Sequence, residues 1–567
     1  MAGDWGDYIS FSQHLRKHAD DKGVDLLLVD TGDRIEGNGL YDASTPKGLF
    51  QYDIYREQDV DIISIGNHEL YQAYSADREL NTTVPNFQDK YIASNLDVID
   101  PKTGERVPLS QRYRKFKTKN QGINIVAFGF LFDFTGNANN SFVQKVEDTV
   151  REKWFQDAIH EQADVFVVIG HVGLRMPEFK TIFTAIRKQN WGTPILFFGG
   201  HAHVRDARIF DSKSIAMASG RYFETIGWMS ADGIKSQEGG GSPSGLSSDA
   251  PGPKFTRRYI DNNLYGMYHH SGTNASTFDT KHGQRVTNMI SRARAALNLD
   301  YQFGCAPKDL WMSRVPYDSE DSIFSWIQNE VFPGIISNPK RKDKARLAIM
   351  NTGGIRFDIF KGPFTTDSTF IVSPFVSGFN YIPDVPYHIA KNIIILLNGA
   401  GKIFAEAGYD TNSLTILPQQ MSSADVAPDA DVDVEKDQPG SVDDSVQLEL
   451  RSLKMQHPSG DDDEHIVLTG GYTTVDDLGT DGDDTVHKPV KFYNVPNCVQ
   501  SEIGFPKDGS EPNVVDLVFL DFVQPWIVLA LKFAGATQGA ADVEQYMEGT
   551  FTYKLSEWIK DNWSGDC

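Results

Sequence analysis

The sequence predicts an α/β fold arranged as two domains, and three observations lead to this prediction. The chain has 567 residues, which is more than one hydrophobic core ordinarily organises. In the first half, short apolar runs alternate with helix-like stretches, the pattern expected of a sheet covered by helices. A helix-like segment near the middle separates that half from a second region of mixed character.

The first domain is predicted at residues 1–278 on the basis of its apolar runs. These runs predict strands at residues 26–29, 62–65, 123–130, 165–169 and 195–198. Residues 233–253 are rich in glycine, serine and proline, so we expect a surface insertion there. The first half therefore has the makeup of an α/β domain with one long surface loop.

A connecting helix is predicted at residues 279–300, where apolar residues recur at helical spacing. Those residues are Val286, Met289, Ile290, Ala293 and Leu297. The second domain is predicted at residues 301–567. An acidic and polar insertion with few large apolar side chains interrupts it at residues 422–464.

Composition and charge narrow the classes of partner. Hydrophobic residues make up 40% of the chain, which is typical of a globular protein. The net charge of −23, from 77 acidic and 54 basic residues, disfavours binding to polymeric nucleic acid or anionic membranes. No apolar run is long enough to span a bilayer. A small phosphate ester stays compatible with this charge if metal cations supply local positive charge.

Cysteines and glycosylation sequons bear on the cellular compartment. The three cysteines, Cys305, Cys498 and Cys567, allow at most one disulfide. N-x-S/T sequons begin at Asn81, Asn139, Asn274 and Asn562. They favour a glycoprotein of the secretory pathway, vacuolar or extracellular, with a cytoplasmic location as the alternative. The sequence carries no indication of the oligomeric state.

Four of the predicted strands end in polar residues of one chemical kind. The side chains that follow them are Asp33, Asn67, His68, His171, His201 and His203. Because ligand sites in open α/β sheets lie beyond the carboxyl ends of the strands, these side chains should converge. Glycines at the strand exits let the backbone turn sharply and approach a ligand closely. The mixed carboxylate, amide and imidazole set, with no thiolate, suits Mn, Zn, Fe or Ni.

These motifs resemble those of a known family. The sequences GD, GNHE, GH and GHAH, in this order, resemble the metal-binding motifs of calcineurin-like metallophosphoesterases. Residues 351–356 (NTGGIR) and 470–485 (GGYTTVDDLGTDGDDT) resemble the C-terminal domain of the 5′-nucleotidase family, particularly its fungal branch. The resemblance implies a metallophosphoesterase β-sandwich flanked by helices, followed by a mixed α/β domain that binds the substrate.

The resemblance also implies a role for each metal-site residue. Asp33 would bridge two divalent metal ions. Asn67, His171 and His201 would complete the second ion, and His203 would bind the first. His68 would be the catalytic residue beside the leaving group, where it stabilises or protonates the leaving oxygen.

In the second domain, the resemblance implies that Asn351, Arg356 and Asp483 bind the nucleotide. A guanidinium suits this role because it holds phosphate oxygens with two donors. Relatives present an aromatic ring that stacks on the base, and Leu478 stands at the matching position here. Candidate substitutes for that ring are Tyr472, Phe375 and Phe379.

Two positions depart from the family pattern, and the first lies at the beginning of the chain. Relatives begin with a strand that ends in D-x-H and supplies two ligands to the first metal ion, but no D-x-H precedes Asp33. Asp4 and Asp7 are poor substitutes, because acidic residues at a helix start commonly cap the helix. We therefore expect the first strand to lie upstream of Met1 and the chain as written to be impaired.

The second departure is Tyr71. Many relatives read GNHEFD, where the final Asp orients the catalytic histidine, whereas this chain reads GNHELY. The carboxylate partner of His68 is thus missing from its usual position, and Glu69 is a candidate replacement.

The leading hypothesis is a metal-dependent phosphohydrolase that acts on nucleoside 5′-monophosphates such as AMP. A nucleotide diphosphate or cyclic-nucleotide hydrolase on the same scaffold is the alternative enzyme. A catalytically silent nucleotide-binding protein is the alternative from another class, because D-x-H is missing.

Overall fold

The computed structural model describes residues 2–236, 252–409, 414, 474–479, 484–485, 493–563, 565 and 567. It shows a two-domain α/β fold with mixed sheets and flanking helices, as the sequence predicts. The acidic insertion at 422–464 lies outside the described residues, and so does most of the insertion at 233–253.

The first half contains thirteen strands among the described residues. They are β1 (Val29–Asp30), β2 (Ile62–Ile63), β3 (Leu96–Ile99), β4 (Arg106–Pro108), β5 (Tyr113–Lys117), β6 (Asn124–Leu131), β7 (Ser141–Val143), β8 (Val165–His171), β9 (Ile195–Gly199), β10 (Arg205–Asp211), β11 (Ser214–Ser219), β12 (Thr225–Asp232) and β13 (Lys254–Asp261). Five of them, β1, β2, β6, β8 and β9, overlap the predicted apolar runs. The helices are α1 (Trp5–Lys22), α2 (Gly39–Asp42), α3 (Gln51–Tyr55), α4 (Ala73–Arg78), α5 (Val84–Phe87), α6 (Val146–Thr149), α7 (Lys153–Ala158), α8 (Pro177–Gln189), α9 (Leu264–Ser271) and α10 (Lys281–Ala296).

A six-stranded sheet forms the centre of the first half, in the order β10-β11-β9-β8-β6-β5. Its inner strands run parallel, and the two edge strands run antiparallel to their neighbours. Alternate residues of β6 face opposite sides, so Val126 and Phe128 pack against the helices while Ile125 and Ala127 face a second apolar layer. Both faces are buried, which explains the continuous apolar run in this strand.

Strands β1 and β2 form a separate parallel pair that is shorter than predicted. The reason is local. The backbone N–H of Leu28 donates to the Asp61 side chain at 2.7 Å rather than to a strand neighbour, so the ladder joins only two residue pairs. The chain after β1 and β2 nevertheless leads into two of the predicted ligand motifs.

The strands of the second half are β14 (Gln302–Ala306), β15 (Arg346–Asn351), β16 (Gly362–Thr365), β17 (Gly378–Pro386), β18 (Cys498–Ile503), β19 (Val514–Leu520) and β20 (Glu544–Thr550). Five of them form a sheet in the order β18-β15-β19-β17-β20, and β14 and β16 form a separate pair. The helices of this half are α11 (Ile323–Trp326), α12 (Phe332–Ile335), α13 (Thr366–Val372), α14 (Tyr387–Ala390), α15 (Ile393–Gly399), α16 (Gly401–Glu406), α17 (Gln524–Phe533) and α18 (Phe551–Asn562). Separate apolar clusters cover the two faces of the five-stranded sheet.

Helix α10 joins the two halves and packs against α1. Arg294 of α10 pairs with Asp367 of α13, and Asp367 also accepts the backbone N–H of Gly39 at 2.9 Å. A disulfide links Cys305 to Cys567, so the one bridge that the cysteine count allows is present. Within the described ranges, no helix is both long and apolar enough to cross a membrane.

Candidate active site

The predicted ligands lie at the carboxyl ends of β1, β2, β8 and β9, as the strand-exit argument requires. Two glycines allow the first two strand exits to meet. Gly32 has a φ of 95°, and a Cβ added there would lie 2.2 Å from the backbone nitrogen of Gly66. A Cβ on Gly66 would lie 2.1 Å from the Asp33 carboxylate. Only glycine fits this approach, which brings Asp33 beside the Asn67–His68 turn.

Asp33, His171 and His201 form one cluster, with a ligand atom of each within 4.8 Å of the others. The Nδ1–H of His171 donates to the Thr31 carbonyl at 3.0 Å, which leaves Nε2 as the ring nitrogen available to a ligand. That Nε2 lies 2.9 Å from Asp33 Oδ2. A carboxylate oxygen and an imidazole nitrogen at this distance share a positive charge, which is a proton on Nε2 in the metal-free protein and can be a metal ion bound to both atoms, so the cluster fits a metal ion.

Asn67 offers a further ligand atom at the exit of β2. Its amide nitrogen donates to the Tyr71 hydroxyl at 2.9 Å, while its Oδ1 is buried and has no hydrogen-bond partner among the described residues. A buried acceptor without a donor is costly unless a ligand satisfies it. The amide is thus oriented by Tyr71 and offers its oxygen to a metal.

The two histidines of the GHAH motif have strained backbones. His201 and His203 have φ values of 68° and 60°, and Asp33 has a φ of 61°. Non-glycine residues rarely adopt this left-handed region, and such strain concentrates at functional sites. Burial, reinforced by the charge of neighbouring His171, lowers the pKa of His201 to about 3. His203 lies outside the group of three, with its ring 5.5 Å from that of Tyr222.

His68 is buried between a carboxylate and a guanidinium. Its Nδ1 lies 2.7 Å from Glu36 Oε2, and its Nε2 lies 3.3 Å from Arg356 NH2. Burial opposes the charged ring, but nearby Asp33 and the hydrogen bond to Glu36 outweigh burial and raise the pKa of His68. Conversely, the charges of His171 and His68 outweigh burial and hold the pKa of Asp33 well below its usual range.

Glu69, the candidate replacement partner of His68, serves another purpose. Its carboxylate accepts backbone N–H groups from Asp33, Arg34 and Gly66. It therefore holds the two strand exits together, and Glu36 is the carboxylate that contacts His68. Sequence reasoning missed Glu36, although an acidic residue three positions after a predicted ligand was the available signal.

The predicted substrate residues lie at different distances from this centre. Arg356 reaches His68, and its guanidinium lies 5.9 Å from the centre of the Phe375 ring. No ion pair of Arg356 occurs in the part of the chain that the structure describes. Asn351 is buried at the end of β15, and Phe379 belongs to the second-half core. Asp483 and Tyr472 lie outside the described residues, and Leu478 lies in the segment 474–479 beside β10.

Asp4 and Asp7 cap α1, as the sequence predicts. The Asp4 carboxylate accepts the backbone N–H groups of Gly6 and Asp7, and Asp7 accepts the N–H of Asp4 in return. Thr287 of α10 also donates to Asp4 at 2.9 Å. Both acidic residues are therefore committed to the helix start.

Comparisons with known proteins agree with this fold. Residues 2–205 match the family described as calcineurin-like phosphoesterase, and residues 309–528 match the NAD nucleotidase C-terminal domain. A crystal structure of 5′-nucleotidase from Candida albicans is similar over 99% of this chain and 93% of that chain, with 34% identity and a TM-score of 0.80. A protein of Arthroderma benhamiae described as "Secreted protein" is 37% identical over 99% of this chain and 86% of its own length.

A shorter similarity covers 36% of this chain and 33% of a Yersinia enterocolitica 2′,3′-cyclic-nucleotide 2′-phosphodiesterase/3′-nucleotidase, with 30% identity. Fold and site together define a two-domain metallophosphoesterase-type hydrolase. The chain belongs to the 5′-nucleotidase family of calcineurin-like phosphoesterases, whose members bind divalent metal ions.

Proposed function

We propose that this protein removes phosphate from nucleoside 5′-monophosphates such as AMP at a site for two divalent metal ions. The observation that carries the proposal is a convergence of acceptor atoms beside a guanidinium. Asp33 Oδ2 and His171 Nε2 lie 2.9 Å apart, the buried Asn67 Oδ1 at the next strand exit has no hydrogen-bond partner among the described residues, and Arg356 contacts the neighbouring His68. Metal ions satisfy the acceptors, and the guanidinium suits a phosphate.

Asp33, Asn67, His171 and His201 would hold one ion, and Asp33 and His203 would contribute to the other. The donor set suits Mn, Zn, Fe or Ni. Bound divalent ions supply Lewis acidity toward the phosphoryl group and acidify water. The left-handed backbone at Asp33, His201 and His203 fixes these side chains before any ligand arrives.

The chain's own residues would handle the leaving group and the substrate. As an imidazolium, His68 can give its Nε2 proton to the departing ribose oxygen while Glu36 holds the Nδ1–H. Arg356 donates to the phosphoryl oxygens. Phe375, whose ring is roughly parallel to that of His68 at 6.4 Å, is a stacking surface for the base. Asn351 and Asp483 remain proposed nucleotide contacts.

A second candidate substrate class is nucleotide diphosphates or cyclic nucleotides. Two similarities favour it, namely the NAD nucleotidase C-terminal domain and the Yersinia cyclic-nucleotide phosphodiesterase. Relative kcat/KM values for AMP, NAD and 2′,3′-cyclic AMP would rank the two classes.

We further propose a secretory, vacuolar or extracellular location. The Cys305–Cys567 disulfide requires an oxidising compartment to persist. All four sequon asparagines are exposed, and the Arthroderma relative is described as secreted. We also propose that residues 1–278 and 301–567 are the two domains, since each half has its own apolar clusters.

The proposal is tested by phosphate release from AMP after chelation and stepwise addition of Mn²⁺, Zn²⁺, Fe²⁺ or Ni²⁺. Activity should vanish on chelation and return with one or more of these ions. Undiminished release from the chelated protein, or no release with any ion, would contradict the proposal.

A further inference from the structure

Glu36 and His68 form a short contact that is buried on both sides. Oε2 and Nδ1 are 2.7 Å apart, and the two side chains are only 8% and 9% exposed. Arg356 lies on the opposite side of the ring, where its NH2 group can donate to Nε2 at 3.3 Å. A donor facing Nε2 and a carboxylate facing Nδ1 together select the tautomer with the proton on Nδ1.

The loop that carries Glu36 is held rigidly in a costly conformation. Glu36 has a φ of 65°, which a non-glycine residue rarely adopts. The N–H groups of Gly37 and Asn38 donate to Asp42 at 2.8 and 3.3 Å, and Asp367 from the second half accepts the N–H of Gly39. Strain persists where the surroundings impose it, and here it directs the carboxylate at the ring.

Other groups near His68 are already engaged. The Tyr71 hydroxyl accepts from the Asn67 amide, and the Glu69 carboxylate accepts three backbone N–H groups. Asp33 Oδ2 lies 3.9 Å from His68 Nε2, on the side of the ring away from Nδ1. Among the described residues, Glu36 is therefore the one carboxylate placed to hold Nδ1.

We propose that Glu36 is the positioning residue of His68 in leaving-group protonation, an inference that rests on the role of His68 proposed above. Glu36 fixes the ring and holds the Nδ1 proton throughout the step. The imidazolium gives its Nε2 proton to the departing ribose oxygen, and the ring that remains is the neutral Nδ1–H tautomer, whose Nε2 can accept from Arg356. The position at the end of GNHELY is thereby free for Tyr71, which orients Asn67 instead.

The test compares two substrates that differ in their need for a proton. The leaving group of AMP is the strongly basic 5′-alkoxide of adenosine, whereas the leaving group of 4-nitrophenyl phosphate is the stable 4-nitrophenolate. Glu36→Ala should lower kcat for AMP about 100-fold, and Glu36→Gln, whose amide oxygen can still accept, about 10-fold. For both variants, KM for AMP and all constants for 4-nitrophenyl phosphate should stay within about threefold of wild type.

The control is Glu57→Gln, which alters another glutamate–histidine contact outside the site, at 2.9 Å to His282. It should leave both substrates unaffected. A readout independent of turnover is the ¹⁵N spectrum of labelled histidines, in which Glu36→Ala should shift the His68 signals away from the Nδ1–H tautomer. Melting temperature and metal content establish that each variant is folded and loaded.

His68→Ala separates failure of this inference from failure of its premise. A selective loss of AMP turnover in His68→Ala together with normal AMP turnover and unshifted signals in Glu36→Ala would overturn the inference alone. Unselective behaviour of His68→Ala would overturn the role of His68, and the inference with it. If the metal-loaded wild type released no phosphate from AMP, the proposed function would fall, and the histidine spectra would still decide whether Glu36 holds His68.

Discussion

Replacing Tyr71 by phenylalanine removes one oxygen atom and should weaken metal binding about tenfold. The Tyr71 hydroxyl accepts a hydrogen bond of 2.9 Å from the Asn67 amide nitrogen. This bond fixes the amide, and the buried Asn67 Oδ1 has no hydrogen-bond partner among the described residues and is left for a metal ion. Without the hydroxyl, the amide nitrogen has no acceptor whenever the oxygen faces a metal ion.

The magnitude follows from the strength of that one bond. A buried hydrogen bond contributes about 0.5–1.5 kcal/mol, and a buried donor without a partner costs about 1–3 kcal/mol. In the metal-free Tyr71→Phe protein the amide can rotate to find other partners, so the cost falls mainly on the metal-bound state. A difference of about 1.4 kcal/mol corresponds to a tenfold change in affinity.

Competition titration against a chromophoric chelator measures this change for Zn²⁺ or Mn²⁺. Tyr74→Phe is the matched control, because the Tyr74 ring is 42% exposed and its hydroxyl makes only a 3.5 Å contact to Lys47. The control should bind metal as wild type does. Equal affinities for wild type and Tyr71→Phe, or loss of the folded state in Tyr71→Phe, would refute the reasoning.

Three further outcomes are expected. Arg356→Ala should slow AMP and 4-nitrophenyl phosphate alike, by about 10–100-fold, because its guanidinium lies against His68 near the phosphoryl position; parallel kcat/KM measurements check this. His201→Ala should lose bound metal and turnover but keep its melting temperature within a few degrees, since strand-exit ligands contribute little packing; elemental analysis and calorimetry check this. In the metal-free protein, lowering the pH from 7.5 to 5 should reduce the free energy of unfolding by about 1–2 kcal/mol because of His201. Urea unfolding of wild type and His201→Gln at both pH values measures this reduction. Burial lowers its folded pKa to about 3, so the neutral ring favours the folded state above the unfolded value of about 6.5, and the benefit fades as pH falls through this window.

The sequence could predict those site residues that belong to short local motifs. A strand followed by glycine and a ligand side chain is a signal contained in a few residues. His171 ends β8, and His201 follows β9, as that pattern predicts. Neighbouring parallel strands end at the same edge of the sheet, so the motifs that follow them come together there.

Contacts between distant segments could not be read in this way. Glu36 and His68 are 32 residues apart, and Arg356 and His68 are 288 apart. Which acidic side chain reaches a given ring depends on loop conformation, here a left-handed turn held by Asp42 and Asp367. Glu69 was the nearer candidate in sequence, yet its carboxylate is needed by three backbone N–H groups. Which carboxylate contacts His68 therefore depends on which buried acceptors are already used by backbone N–H groups, and not on proximity along the chain.

The tyrosine of GNHELY shows why a missing catalytic residue need not mean a missing function. A carboxylate at the end of this motif could hold His68, but a hydroxyl at that place can accept from the neighbouring Asn67 amide, as Tyr71 does. Once Glu36 supplies the carboxylate from the turn after Asp33, both needs are met by separate residues. The two positions are therefore expected to be coupled: Tyr71→Asp should not raise AMP turnover while Glu36 is present, but it should recover part of the turnover lost in Glu36→Ala. The reason is that His68 needs one carboxylate, and an acid at position 71 can supply it only when Glu36 does not.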